Sequence, residues 1–284
     1  MAAFSIEVAA HAGTCYGVQR ALDLAIRAGE SATDESPVHT YGPLIHNPLV
    51  VDELASKHVQ LAESLDQVDR GALIIRAHGV VPAVVEAAEA KSLQVVDATC
   101  PYVLKVHRAV ERLCADGYQV LVVGEAGHPE VDGIIGHAGP GSVVVSDASE
   151  LDALELSSKV GVVVQTTQTL DKLQAVVATL LSRCRELKVV NTICKATSER
   201  QLAARELAGR VDAMVVIGGK NSGNTRRLAE ICSRACGKSV HVERPDELDP
   251  QFFEGVRTVG ITAGASTPQT HIDAVVERLT RMNI

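Results

Sequence analysis

Cysteines follow apolar segments at separate points of the sequence. Cys100 ends VVDATC and Cys194 ends VVNTIC, while Cys15 lies in GTCYGV, and each comes just before a predicted helix. Amide groups at the start of a helix favour ionised sulfur, and thiolates are good ligands for soft metals. These three cysteines are therefore candidate metal ligands. The others are expected to be structural: Cys114, Cys184, Cys232 and Cys236.

Three thiolates at one point suit an iron–sulfur cluster better than zinc. Zinc sites commonly use paired C-x-x-C ligands, which this sequence lacks. In a [4Fe-4S] cubane, three cysteines leave one iron without a protein ligand, able to bind substrate oxygen as well as pass electrons. The alternative is that each cysteine is a small buried hydrophobe at a strand end. Recurrence at equivalent places favours the metal.

Polar residues gather in loops after the predicted strands. Their hydroxyl, amide, imidazole and backbone N–H groups around one cavity suit a small diphosphate, especially beside helix N-termini. Each histidine could instead be structural, and each serine a helix cap. These residues are His46 in LIHNP, His78 in LIIRAHGV, His128 in EAGHPEVDG, Thr166 in QTTQT, Ser222, Gly223 and Asn224 in GKNSGNTRRL, and Ser266 in ITAGASTPQ.

Glu130 is an acid in the same predicted loop as His128. A buried carboxyl beside an anionic ligand would hold its proton at neutral pH, which suits acid catalysis. The alternative is an exposed loop carboxylate. Further charged or basic residues are expected on solvated helix faces: Lys105, His107, Arg226 and Arg227.

The elements that must position these residues form a repeat. Apolar strands alternate with amphipathic helices, which predicts parallel or mixed sheets covered by helices. The order recurs from each candidate cysteine with a period of roughly ninety residues. We expect three small α/β domains, at 1–99, 100–193 and 194–284. If the carboxyl ends of their strands face a common axis, the cysteines and polar loops converge on one central cavity.

Composition excludes several classes of function. A formal net charge of -8 gives no overall attraction to nucleic acid or anionic lipid. No apolar run is long enough to span a membrane, and the first residues lack the features of a targeting segment, so a cytoplasmic location is expected. No flavin- or nicotinamide-binding glycine fingerprint occurs, which favours an external electron donor.

The motifs together resemble one family. GTCYGV, LIHNP, AHGV, DATCP, KVH, GHPEVDG, QTTQT, ICKATSERQ, GKNSGNTRRL and TAGASTPQ occur in the order seen in the LytB-type iron–sulfur enzymes, the 4-hydroxy-3-methylbut-2-enyl diphosphate reductases. The resemblance covers nearly the whole chain. It implies a pseudo-threefold trefoil of α/β domains around a [4Fe-4S] cluster held by Cys15, Cys100 and Cys194, with one iron lacking a protein ligand.

The resemblance also implies a reaction. In the last step of the non-mevalonate isoprenoid pathway, two electrons and two protons remove an allylic hydroxyl as water, giving isopentenyl and dimethylallyl diphosphates. Thr166 would bind near the substrate hydroxyl, and Glu130 would deliver protons. A ferredoxin or flavodoxin would supply the electrons. Separately from the resemblance, we expect a monomer, because one chain already completes the site. The diphosphate would be held by His46, His78, His128, Ser222, Asn224 and Ser266, with the Gly223 N–H as a further contact.

Other functions remain open from the sequence. A zinc hydrolase could use the cysteines with His128, and a cluster-based redox sensor would contain iron without catalysis. A paralogue could act on another allylic diphosphate. The chain also departs from the family pattern at Thr14, where an aromatic residue is usual, at Leu104, where threonine is common, and at Gly223 in place of serine.

Overall fold

The computed structural model describes residues 4–282, in which short strands and longer helices alternate. Within that range the strands are β1 (Ser5–Val8), β2 (Val38–Tyr41), β3 (Val59–Ala62), β4 (Ala72–Ile75), β5 (Gln94–Asp97), β6 (Gln119–Val123), β7 (Val143–Val145), β8 (Lys159–Val164), β9 (Glu186–Val189), β10 (Ala213–Ile217), β11 (Ser239–Val242) and β12 (Thr258–Ala263). The α-helices are α1 (Tyr16–Glu30), α2 (Pro48–Ala55), α3 (Pro82–Ala90), α4 (Pro101–Ala115), α5 (Pro129–Gly136), α6 (Leu170–Leu180), α7 (Lys195–Ala208), α8 (Gly223–Ala235) and α9 (Gln269–Met282).

The helix boundaries follow ordinary sequence signals. Proline occupies the first position of α3, α4 and α5, where a missing N–H costs no intrahelical bond. In α4, Val103, Val106 and Val110 recur at helical spacing and are buried, so one face of this helix packs onto the sheet that contains β6 and β8. The same periodicity places the opposite face in solvent.

The strands form three four-stranded parallel sheets. Their orders are β3-β2-β4-β5, β7-β6-β8-β9 and β1-β12-β10-β11. Strands β6, β8 and β10 are almost continuously buried, as expected for parallel strands covered on both faces. The predicted fold class, α/β with three parallel-sheet units, is confirmed.

The third sheet takes its edge strand from the start of the chain. Strand β1 pairs with β12, so that Ser5 lies opposite Thr258. In the other two sheets the corresponding edge strand, β5 or β9, is the fourth in sequence. A division of the chain at 1–99, 100–193 and 194–284 therefore separates β1 from its own sheet. Those bounds stay a prediction, and their outermost positions, 1–3 and 283–284, lie outside the described residues.

The chain divides into two compact units. The larger unit comprises Gly17–Ile45 and Leu49–Cys194 and contains the first two sheets. The smaller unit comprises the N-terminal residues up to Tyr16, the tripeptide His46–Pro48 and the chain from Lys195 onward, and it contains the third sheet. Within residues 4–282, no helix is long and apolar enough to cross a membrane.

Candidate active site

The three candidate cysteines have the same local environment. Each follows the edge strand of its sheet and directly precedes a helix, α1, α4 or α7. Each backbone N–H donates to the carbonyl two residues beyond the strand that pairs with this edge strand, which is β12, β4 or β8. The pairs are Cys15 with Ala265, at 3.3 Å, in the smaller unit, and Cys100 with Ala77, at 3.0 Å, and Cys194 with Thr166, at 3.1 Å, in the larger unit.

The sulfur of Cys100 lies against a glycine. A methyl group built at Gly17 would stand 2.4 Å from the Cys100 Sγ, so a side chain there would collide with the sulfur. The cysteines at 15, 100 and 194 are all partly exposed and reduced.

The remaining cysteines have structural surroundings, as predicted. Burial, with a smaller contribution from Cys236, raises the pKa of Cys232 to about 12, which disfavours a thiolate ligand. The Cys114 Sγ accepts a hydrogen bond from the Gly139 N–H, and the Cys184 Sγ donates to the Leu180 carbonyl at 3.3 Å. The Cys236 Sγ donates to the Lys238 carbonyl at 3.4 Å, so each of the four has surroundings that require no metal.

Glu130 lies in the first turn of α5, not in a loop. The proline at position 129 starts the helix, and the His128 Nδ1 caps it by accepting the Glu130 N–H at 3.1 Å. The Glu130 side chain is only 2% exposed, which excludes the exposed loop carboxylate. The prediction that EAGHPEVDG is a loop throughout is therefore wrong from Pro129 onward, because the proline and the histidine cap begin a helix there.

The Glu130 carboxyl is bound by one residue. The Thr166 N–H donates to Oε1 at 2.6 Å, and the Thr166 hydroxyl donates to Oε2 at 2.8 Å. Burial raises the pKa of Glu130 to about 7, although both bonds from Thr166 oppose the rise. The group therefore exchanges a proton near neutral pH. Since the Thr166 carbonyl accepts the Cys194 N–H, the acid and this cysteine share one threonine.

His128 also contacts a second candidate ligand. Its ring meets the His78 ring edge to face, with centroids 5.6 Å apart and planes at 79°. His78 lies three residues after the end of β4, at the turn whose Gly79 has a φ of 74°, in the left-handed region that favours glycine. The larger unit thus brings together His78, His128, Glu130 and Thr166.

The smaller unit contains a second polar group around Ser266. The Ser266 hydroxyl donates to the His46 carbonyl at 3.2 Å, and the Asn47 side chain donates to the Ser266 carbonyl at 2.7 Å. A methyl group at Gly219 would stand 2.5 Å from the His46 carbonyl oxygen. The tripeptide His46–Pro48 is therefore held tightly to this unit, although the chain on both sides of it belongs to the larger one.

The start of α8 carries further polar residues of the smaller unit. Ser222 caps the helix, its hydroxyl accepting the Thr225 N–H at 3.4 Å, and Gly223 and Asn224 form the first turn. Asn224 is 3% exposed, and neither its Nδ2 nor its Oδ1 has a hydrogen-bond partner within residues 4–282. Buried amides are normally satisfied, so this one is a candidate ligand-binding group. Helix N-termini favour anions.

Two residues expected on solvated helix faces are buried. His107 and Arg227 are 4% and 6% exposed, whereas Lys105 and Arg226 are exposed as predicted. His107 lies four residues after Val103 and three before Val110, both on the buried face of α4. The helical period of its apolar neighbours was therefore a signal that could have located it.

Comparison with known proteins shows likeness along almost the whole chain. Residues 6–280 match the family model described as LytB protein. A relative from Pelobacter propionicus, named 4-hydroxy-3-methylbut-2-enyl diphosphate reductase, is 47% identical over 276 residues, covering 97% of this chain and 98% of the relative. A relative of that name from Geobacter sulfurreducens is 48% identical over 274 residues, 96% of each chain.

Two solved structures are similar as well. One, (E)-4-hydroxy-3-methyl-but-2-enyl diphosphate reductase, described as the terminal enzyme of the non-mevalonate pathway, is 43% identical with a TM-score of 0.71, covering 97% of this chain and 99% of that chain. The other, E-1-hydroxy-2-methyl-but-2-enyl-4-diphosphate reductase from Plasmodium falciparum, is 28% identical with a TM-score of 0.91, covering 99% and 89%.

Proposed function

This chain belongs to the LytB protein family, and from that premise we propose that it is a 4-hydroxy-3-methylbut-2-enyl diphosphate reductase. The reaction replaces an allylic C–O bond by C–H and consumes two electrons and two protons, releasing water. The observation that supports it most directly is the buried Glu130 bound to Thr166, whose carbonyl accepts the Cys194 N–H. A proton donor and a candidate metal ligand are thus joined through one residue.

We assign the cofactor to Cys15, Cys100 and Cys194. Their repeated placement before helices and the glycine beside the Cys100 sulfur fit thiolate ligands. Within residues 4–282, no three His, Cys, Asp or Glu side chains are grouped closely enough for a single metal ion. In a [4Fe-4S] cluster, each of the three thiolates would bind a different iron. When bound, the cluster supplies electrons and an iron with an open position.

Glu130 and Thr166 can hold and move a proton. With a pKa of about 7, the carboxyl is protonated in a large fraction of molecules at neutral pH. In that form its O–H donates to the Thr166 Oγ, which leaves the threonine hydroxyl able to donate to a substrate oxygen. Loss of that oxygen as water needs such a proton, and a fixed donor lowers the barrier without ordering solvent.

We assign the diphosphate to the polar residues that the sequence predicts as its ligands. In the smaller unit, the unpartnered Asn224 amide lies in the first turn of α8, beside the Ser222 cap, where the helix dipole favours negative charge. Gly223 offers its N–H at the same helix end. The assigned histidine and serine ligands are His46, His78, His128 and Ser266.

The remaining partners follow from the same assignment. We infer a ferredoxin or flavodoxin as electron donor, because the sequence contains no nicotinamide or flavin fingerprint. We expect a monomer, because one chain supplies every assigned residue. We also expect a cytoplasmic location.

The test compares two cysteine variants of the anaerobically purified protein. We expect about four irons per chain and reduction of the allylic alcohol diphosphate by a chemically reduced viologen. Cys194→Ser should lower turnover by at least about 100-fold, because oxygen is a poor ligand for this soft site. Cys184→Ser is the matched control, since a serine hydroxyl can also donate to the Leu180 carbonyl.

Three results would contradict the proposal. They are an active iron-free protein, a Cys194→Ser variant that keeps its rate and iron, and an iron-loaded wild type that does not reduce the substrate. Equal loss in both variants would show only that cysteine substitution destabilises the fold, so the thermal midpoint of each is measured beside its iron content.

A further inference from the structure

His107 lies at the junction of three elements of the larger unit. It belongs to α4, the helix that Cys100 precedes. A methyl group built at Gly79 would stand 2.8 Å from its Cε1, and one at Gly133 would stand 3.5 Å from its Nε2. The imidazole therefore lies against the turn that contains His78 and against the middle of α5.

The end of α5 is held by the same part of α4. The His107 ring stacks on the ring of His137, which follows the last residue of α5, with centroids 4.0 Å apart and planes at 22°. The His137 Nδ1 is 2.8 Å from the Oε1 of Glu111, one turn after His107 on α4. Two residues of α4 thus hold one end of the helix whose other end begins with His128.

The His107 ring acts as a neutral, buried spacer. Burial, followed by the neighbouring His137, lowers the pKa of His107 to about 4, so the ring is uncharged at neutral pH. Its Nε2 has no hydrogen-bond partner within residues 4–282. An apolar side chain such as leucine could fill a buried position without leaving a polar atom unpaired. What distinguishes the imidazole here is its flat shape, which fits between Gly79 and Gly133.

We propose that His107 is a positioning residue that sets the His78 ring against the His128 ring. The contact with Gly79 places the turn of His78, and the contacts with Gly133 and His137 place the helix of His128. These two imidazoles meet at 5.6 Å. The inference rests on the proposed function, because the diphosphate assigned to both histidines is the ligand whose affinity reports their placement.

The test removes the ring and then restores it. In the anaerobic holoenzyme, His107→Ala should raise the Kd for inorganic diphosphate and the KM for substrate by about tenfold, because displaced ligands bind weakly. Added imidazole should enter the vacated space and bring the Kd back toward the wild-type value. His107→Asn gives a second variant in case alanine prevents folding, and it should also weaken binding.

Leu113→Ala is the matched control on the same helix. Leu113 is 1% exposed and packs against β8, where a methyl at Gly161 would stand 2.9 Å from it. This truncation should lower the thermal midpoint by at least as much as His107→Ala but change the Kd by less than about twofold. A merely structural role of His107 predicts equal effects of the two truncations on the Kd.

The outcomes separate this inference from the proposed function. A wild-type holoenzyme that neither binds inorganic diphosphate nor reduces the substrate refutes the function. A wild type that binds, together with His107→Ala and His107→Asn variants that bind equally well, refutes the positioning role. Loss of affinity in Leu113→Ala to the same degree, or failure of imidazole to restore His107→Ala, also refutes it.

Discussion

Glu130 in the larger unit and Asn224 in the smaller unit are almost equally buried, but their polar atoms differ in hydrogen bonding. Both oxygens of Glu130 accept hydrogen bonds from Thr166. Within residues 4–282, both polar atoms of the Asn224 amide have no partner. An unsatisfied buried group costs about 1–3 kcal/mol. The proposed proton donor thus has its hydrogen bonds within the protein, whereas the proposed diphosphate ligand has none within the described residues.

The largest expected effect comes from a substitution of Glu130. Glu130→Gln keeps the size and an acceptor for the Thr166 N–H but removes the exchangeable proton. We expect kcat to fall by about 10²–10⁴-fold in anaerobic steady-state assays, the usual range for loss of a general acid. Affinity for inorganic diphosphate should stay unchanged, and a variant with wild-type kcat would exclude Glu130 as the donor.

The same variant should also alter how stability depends on pH. Burial raises the pKa of Glu130 from 4.5 to about 7 in the folded state. The protonated carboxyl therefore contributes fully to the free energy of unfolding below pH 4.5, and this contribution is lost as pH rises through about 7. The loss is on the order of 3 kcal/mol. Thermal midpoints between pH 5 and 8 should fall more steeply for wild type than for Glu130→Gln, and parallel curves would contradict the shift.

Asn224→Ala should separate binding from stability. Removing the amide should weaken inorganic diphosphate binding by about 10- to 100-fold, the usual worth of a hydrogen bond to a charged group. Stability without ligand should be unchanged or higher, since a buried unpartnered group is removed from a helix. Calorimetric binding and the thermal midpoint of the same samples measure both. A large drop in the midpoint would mean that the amide already has a structural role.

Ser222→Ala should change the measured properties least of these variants. Unlike Asn224→Ala, it should lower the stability of the ligand-free protein. Its hydroxyl caps α8 by accepting the Thr225 N–H, and loss of such a cap costs about 1 kcal/mol. Ser222→Gly should cost only a few tenths of that, because glycine is tolerated at this position. Denaturant unfolding of the two variants tests the cap. If both are as stable as wild type, Ser222 serves the ligand alone.

The cysteines and the α/β class were predictable because short-range signals define them. Each cysteine closes an apolar run, and hydrophobic periodicity indicates the following helix. The placement of Glu130 was not predicted correctly, because a glycine- and proline-rich segment resembles a loop unless the capping histidine is recognised. His107 was missed for a similar reason, since a polar residue type outweighed its apolar neighbours at helical spacing.

The pairing of strands that are distant in sequence could not be predicted from local sequence patterns. Strands β1, β3 and β11 are only four residues each, and none alternates regularly between buried and exposed positions, so the sequence does not distinguish them from loops. The unpartnered amide of Asn224 was also invisible, because the state of a buried hydrogen-bonding group depends on residues far along the chain. Its residue type and helix position were the only available signals.

The pairing of β1 with β12 bears on how the molecule is made. Ser5 is synthesised long before Thr258, which lies opposite it in the sheet. Such distant pairing slows folding, because a long chain must close before the contact forms. The amide of Cys15 likewise waits for Ala265. A nascent polypeptide therefore cannot complete the surroundings of the Cys15 backbone until Ala265 has been synthesised.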